Sequence, residues 1–371
     1  MPDRRSSVTV CSLLVLAAAA CATARAAAVD VNCANAAGDA KTLNAAIAAS
    51  KTGDAIHIHG TCLAGQTVVL NGNRSYLGDS RTGTVIRQAN GANLPALLAS
   101  DSWDSNAAGT GGPIRIAHMT LDGNRANYTG TSALIIRSWL TVIEDLQVRS
   151  APADGIQLTN LSKDGKTRLT STQVNGRISN CFIGGSGANG IHVADPGNSL
   201  TDWDLLDNWI ANSGESAIRM DNAAGWKVMG NHLYGVKQHA IYAHRCWGTT
   251  IADNYIEGFG EGGGDDASYG IACTVQGGSA SAIRDNKVFR SGARAGAGKF
   301  IYIGVPQVNS GTGVINVINN VIRGGGSERD IGLSYQVGQG AGLSILSSGN
   351  NVQSVGTGRS VGDKVTLVNP L

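Results

Sequence analysis

Residues 228–243 read "VMGNHLYGVKQHAIYA": an apolar position, two others, Asn231, one more residue and a second apolar position, then a glycine-containing turn and a short strand centred on Ile241. The same phrase returns upstream as "LLDNWIANSGESAIRM" (205–220) and "ISNCFIGGSGANGIHV" (178–193). Downstream it returns as "IADNYIEGFGEGGGDDASYGIACTV" (251–275), "IRDNKVFRSGARAGAGKFIYIG" (283–304) and "VINNVIRGGGSERDIGLSY" (317–335). Its asparagines are Asn180, Asn208, Asn231, Asn254, Asn286 and Asn320, at intervals of 28, 23, 23, 32 and 34 residues. A recurring unit of that size signals stacked repeats, each burying its apolar side against the next.

The unit is built of strands. Its segments are short and alternate apolar with polar residues, 51 glycines punctuate the turns, and helical periodicity is absent after residue 50. A coil of three short strands needs roughly 22 residues, with any excess ejected as loops. The repeated Asn falls at an inward bend, where its amide can bond backbone groups of its own and adjacent coils. In these features the chain resembles the right-handed parallel β-helix proteins, the superfamily of pectate lyases, polygalacturonases, alginate-active enzymes and phage tailspikes. The resemblance implies an all-β fold: a single-stranded right-handed parallel β-helix over residues 56–371, with an N-terminal amphipathic α-helical cap over 29–55. In the cap, "TLNAAIAAS" sets Leu43, Ala46 and Ile47 on one helical face, ended by the small Ser50, suited to shield the open edge of the first coil.

The N-terminus reads as an export signal. Arg4 and Arg5 precede the apolar run "VCSLLVLAAAA" and the small residues of "CATARAAA", so residues 1–28 are set aside as a signal peptide. Cys21 follows Ala18, Ala19 and Ala20, a weak hint of lipid attachment without the branched apolar residue three places earlier that would strengthen it. No later segment is long and apolar enough to cross a bilayer, so an integral membrane segment after signal removal is not expected. Removing residues 1–28 takes three of 29 basic and one of 27 acidic side chains, leaving 26 of each. That balance argues against a nucleic-acid partner, which calls for a cationic face. In an exported chain Cys33 and Cys62 are expected to pair, because the helix-turn-strand between them can bring its ends together. Cys181, Cys246 and Cys273 lack metal-ligand spacing and read as buried thiols.

With Ile156, Ile191, Ile218, Ile241 and Ile271 turned inward, the residues one and three places later face out. The first column then reads Gln157, His192, Arg219, Tyr242 and Ala272, and the second Thr159, Ala194, Asp221, His244 and Thr274. Arg219, Asp221, Tyr242 and His244 form a patch on neighbouring coils, bordered by His192. The preceding turns add Glu215, Lys237 and His239. The resemblance implies the same surface, because in β-helix enzymes this strand and its turn commonly line the substrate groove.

Residue types here fit elimination from an acidic sugar. That reaction needs cations beside the uronate carboxylate and a base and acid near the ring. The expected roles are proton transfer by Tyr242 and His244, carboxylate stabilisation by Arg219 and Lys237, and orientation by His192 and His239, with Asp221 in the catalytic group. Arg245, Glu215 and Trp209 are expected to bind substrate, Trp209 through its indole face. Epimerisation begins with the same proton abstraction and stays open. A glycoside hydrolase using Glu215 and Asp221, or Asp265 and Asp266, is the first alternative. The chain lacks the G-H-G and R-I-K of polygalacturonases, the W-I-D-H of pectate lyases and the Asp-Pro-His of alginate epimerases. A non-catalytic glycan-binding or structural rod is the second. Glu257, Glu261, Asp265 and Asp266 offer oxygen ligands suited to Ca²⁺, but in irregular spacing, so no cofactor or metal is expected. The reading is a secreted, extracellular or periplasmic protein whose partner is extracellular polysaccharide.

Overall fold

The structure is a computed structural model and describes residues 27–127, 130, 132–263, 266–290 and 298–368. Residues 1–26, which hold Cys21 and most of the 1–28 segment expected to be a signal peptide, and Asp265 lie outside the described residues. Strands stack in parallel ladders, 21 in one sheet and 11 in another. Each central coil lays down three: Asp204–Leu206, Trp209–Ala211 and Ile218–Asp221, for example, followed one coil on by Lys227–Met229, His232–Tyr234 and Ile241–Cys246. These define three faces. The first two run together as the 21-stranded sheet, and the third, carrying the Ile column, is the 11-stranded sheet. Ile156, Ile191, Ile218, Ile241, Ile271 and Ile303 stand in register and fully buried. Each contributes about 1.5–3 kcal/mol of burial.

The cap is present as helix Asp39–Ala49, with Leu43 and Ile47 buried and Ala46 packed against the core. Ser50 closes it, its hydroxyl donating to the Ile47 carbonyl at 2.6 Å, while the Arg74 guanidinium donates to Ser50 O at 2.8 Å. That places a cation at the negative end of the helix. The sheet already begins ahead of the helix, since Ala28–Ala34 pairs in parallel with Ala55–Ala64.

The asparagine ladder runs through Asn208, Asn231, Asn254, Asn286, Asn320 and Asn350. Each side-chain oxygen accepts the backbone N–H of the previous rung at 3.0–3.1 Å, and each amide donates back to a backbone carbonyl of the preceding coil. Asn180 is not a member, contrary to the spacing argument. It occupies the preceding position, where φ is positive in nine successive coils: His118, Asp145, Asn180, Asp207, Gly230, Asp253, Asp285, Asn319 and Gly349. That conformation favours Asn, Asp and Gly, so the sequence offers two adjacent polar positions per bend and the apolar frame was one residue off in that coil. Cys181 takes the ladder place there, its N–H donating to Asn208 Oδ1. In earlier coils Leu146 and Met119 hold it. Asn254→Ala is expected to leave buried amide and carbonyl groups unpaired and to lower the unfolding free energy by about 2 kcal/mol, read as a lower urea midpoint at unchanged slope.

Cys33 and Cys62 are bridged. Cys246 and Cys273 are also bridged, with Cα atoms 5.7 Å apart, which corrects their reading as thiols. Between Ala243 and Cys246 the strand carries one more residue than its partner, pairing Ala243 with Cys273 and Cys246 with Val275. This bulge reverses the in-out phase, so Cys246 turns inward and meets Cys273. Cys181 remains a buried thiol. Replacing both Cys246 and Cys273 with Ser is expected to cost about 3 kcal/mol of stability. Reductant should then lower the parent's urea midpoint by more than the variant's, which keeps only the Cys33–Cys62 bridge.

Candidate active site

The third face brings the predicted outward residues together. His192, Arg219 and Tyr242 are consecutive register partners, and Asp221 is the hub. Its carboxylate accepts Arg219 Nε at 3.2 Å and His192 Nε2 at 3.2 Å, and lies 3.5 Å from His244 Nε2. The other nitrogen of His192, Nδ1, is 2.9 Å from Asp154 Oδ2. Asp154 is buried and its second oxygen accepts both the backbone and side-chain N–H of Asn189, at 3.0 and 2.9 Å. Asn189 also donates to Glu215 Oε2 at 3.2 Å, which attaches Glu215 to the Asp154 end of the cluster.

One rung on, His239 stacks on Tyr242 with centroids 4.3 Å apart, and His244 stands edge-on to the other side of the phenol at 4.4 Å. Tyr269 closes against both, 5.6 Å from His239 and 6.2 Å from Tyr242. Its backbone N–H donates to His239 Nδ1 at 3.1 Å, leaving the proton of the neutral ring on Nε2.

These environments separate the histidines by charge. Burial acts to lower His192, but hydrogen bonds to Asp154 and Asp221 outweigh it and raise the imidazole to about 9. His239 is lowered to about 4 by burial, then by the Arg219 and His244 charges. His244 is also lowered by burial, with Arg219 reinforcing and Asp221 opposing. Burial acts to raise Asp221, yet His192, Arg219 and His244 hold its carboxyl below the usual range. Tyr242 and Tyr269 are raised, chiefly by burial. At neutral pH the cluster therefore contains an imidazolium, two neutral imidazoles, an ionised carboxylate and protonated phenols. Arg219 spends only Nε on Asp221, and its terminal nitrogens make no other hydrogen bond among the described residues.

Asp154, Asn189 and Tyr269 did not emerge from the alternation. They sit two places before the inward Ile of their coils, with His239 in the same column. Straight alternation from Ile points that column inward. The intervening position holds Gly155, Gly190, Ala217, Ala240 and Gly270, and a Cβ on Gly155 would fall 2.6 Å from the Gly190 carbonyl oxygen. The chain turns a corner on these small residues, and the phase reverses.

Three predicted residues stand apart from the hub. Lys237 is exposed on the turn and forms no ion pair among the described residues. Arg245, displaced by the bulge, bonds Gln276, Asn198 and the Asn222 carbonyl and lies over the Trp247 ring at 5.6 Å. Trp209 lies on the second face, in a different sheet, and is 45% exposed. Trp203 and Trp226 are buried and stacked at 5.9 Å in the corner. Glu257 is also on the second face, bonded by Tyr255 and His232. Among the described residues no three His, Cys, Asp or Glu side chains gather into a metal-holding group, and no helix is long and apolar enough to cross a membrane.

A coil of three parallel faces, an internal Asn ladder and a capping helix define a parallel β-helix protein. The chain belongs to the right-handed β-helix region family, whose model matches residues 127–358. Among curated proteins, none matches this sequence. Among solved structures, the chain is similar to the A-module of the Azotobacter vinelandii mannuronan C-5 epimerase AlgE4, with TM-score 0.61 and 16% identity over 89% of this chain and 96% of that one. It is also similar to PfbA, a surface adhesin of Streptococcus pneumoniae, with TM-score 0.59 and 13% identity over 90% and 93%. The Dettilon tailspike protein gives TM-score 0.54 and 11% identity over 90% and 68%. At these identities the likeness is one of fold.

Proposed function

We propose that this protein is an exported enzyme acting on a uronate-containing polysaccharide, and that it cleaves by β-elimination. The observation that carries the reading is the convergence of Arg219, His192 and His244 on Asp221, beside a Tyr242 held between two neutral imidazoles. The terminal nitrogens of Arg219 bind the uronate carboxylate and stabilise charge that develops as the adjacent C–H bond breaks. His244, with Nε2 toward Asp221, takes that proton on Nδ1. Tyr242 gives its phenolic proton to the departing glycosidic oxygen as the C–O bond breaks and the ring gains a double bond. Solvent returns a proton to Tyr242 and removes one from His244, so the protein ends unchanged. Lys237 supplies a second cation from the turn, and His192 and His239 orient Asp221 and Tyr242.

Nearness in fold to a mannuronan C-5 epimerase and to phage tailspikes supports a polysaccharide substrate. Hydrolysis by the Glu215 and Asp221 pair would leave Glu215 as the proton donor, because Asp221 is held ionised. Incubation with a panel of acidic and neutral polysaccharides tests the proposal. Ultraviolet absorbance from unsaturated ends and new reducing ends should rise together on uronate polymers. Reducing ends without absorbance would replace elimination by hydrolysis. Solvent deuterium incorporation without new ends would replace it by epimerisation.

A further inference from the structure

The second face carries an aromatic surface that the proposed reaction does not use. Phe182, Trp209, His232 and Tyr255 stand in register on successive coils, followed by Lys287. Two residues further along each strand, the neighbouring outward column reads Gly184, Ala211, Tyr234, Glu257 and Phe289, followed by Arg323. The rings touch one another rather than the core. Phe182 is edge-on to Trp209 at 5.3 Å, His232 lies parallel to Trp209 within 5° at 5.3 Å, Tyr255 is edge-on to His232 at 4.6 Å, and Phe289 is edge-on to Tyr255 at 5.1 Å. Trp209 and Tyr255 stay 45% and 38% exposed, and Ala211 leaves the rung of Trp209 without a bulky neighbour.

The composition indicates what such a surface takes. Beyond Lys287 the exposed large apolar side chains are aliphatic: Val321, which follows Lys287 in this same column, and Val314, Val361, Leu367 and Val368. On the second face before Lys287, by contrast, Trp209, His232, Tyr234 and Tyr255 each combine a flat apolar body with a polar edge. That is the pattern that matches a pyranose, which offers C–H bonds on its face and hydroxyls around its rim. The column runs along the helix axis, so four steps of about 4.8 Å set its length at roughly 19 Å, suited to a linear chain of sugars. Its end toward the C-terminus is cationic: Lys287 and Arg323 are exposed and make no ion pair among the described residues.

We propose that this face is a second glycan-binding surface, on which a linear acidic polysaccharide lies along the helix axis with sugar rings on Trp209 and Tyr255 and carboxylates at Lys287 and Arg323. The identity of the glycan rests on the proposed function, since one polymer would then be held on this face and cut on the next.

Affinity electrophoresis tests it directly, with the mature protein run through gels containing a polyuronate, a neutral polysaccharide or none. The parent and His244→Gln should be retarded equally by the polyuronate. The double variant Trp209→Ala/Tyr255→Ala should lose at least tenfold in affinity, and Lys287→Gln/Arg323→Gln should lose affinity together with part of its salt dependence. Unchanged thermal midpoints establish that these surface variants are folded. Retardation of the aromatic variant equal to the parent would overturn the proposal, as would absence of retardation of the parent in every gel. Retardation only by the neutral polymer would overturn the acidic assignment. A protein that turns over no glycan but loses retardation on aromatic substitution would sink the lyase reading and leave this surface standing.

Discussion

Replacing His244 with Gln is expected to lower the rate of elimination about 10³-fold, the range that a positioned general base supplies. Gln keeps a polar side chain beside Asp221 but cannot take a proton. The Asp221–Arg219 pair, which makes no use of His244, should still bind the uronate carboxylate, so KM should change little while kcat falls. Tyr242→Phe should separate the two proton transfers. It keeps the ring between His239 and His244 and removes only the phenolic proton. Elimination should fall about 10²-fold, whereas exchange of the uronate C–H with solvent deuterium persists. His244→Gln should abolish exchange and elimination together. If Tyr242→Phe removed exchange while His244→Gln retained it, the assignments of acid and base would be reversed. If both variants kept parental rates, the third face would not be the reaction site.

The fold was legible because a parallel β-helix writes its geometry into the chain once per coil. The Asn rhythm, the Ile column and the two outward columns after it are all consequences of one strand repeating in register, and His192, Arg219 and Tyr242 fall where alternation puts them. What escaped lies where alternation breaks. The small residues at Gly155, Gly190, Ala217, Ala240 and Gly270 turn a corner, and so bring Asp154, Asn189 and Tyr269, in the column of the expected His239, to the same cluster as the residues beyond them. The extra residue after Ala243 sends Arg245 off the hub and Cys246 into the core. Neither event leaves a motif in a single copy. Comparing coils at the position two before Ile would have shown Asp154, Asn189, Ser216, His239 and Tyr269 in one column, polar in every coil.

The residue that the columns did not show carries the second large effect. Asp154→Asn is expected to lower the unfolding free energy at pH 7 by about 4 kcal/mol, as for removal of one partner from a largely buried ion pair. Asp154 and His192 are 9% and 18% exposed at their side chains, so solvent screens the interaction little. Asn retains the shape and keeps one accepting oxygen for Asn189, while its NH2 faces His192 Nδ1, so the loss combines the charge with that one hydrogen bond. The effect has a sign in pH. His192 is raised from 6.5 to about 9 in the folded protein, so its stabilisation is fully present below about pH 6.5 and is lost as pH rises through about 9. The parent's urea midpoint should therefore fall between those values. In Asp154→Asn, where only Asp221 remains to hold the imidazolium, that slope should flatten. An unchanged slope in the variant would mean that Asp154 does not hold His192 charged. Asp221 would then lose the fixed cation at its back, and with it the reason that Arg219 and His244 are presented toward substrate with their outer nitrogens uncommitted.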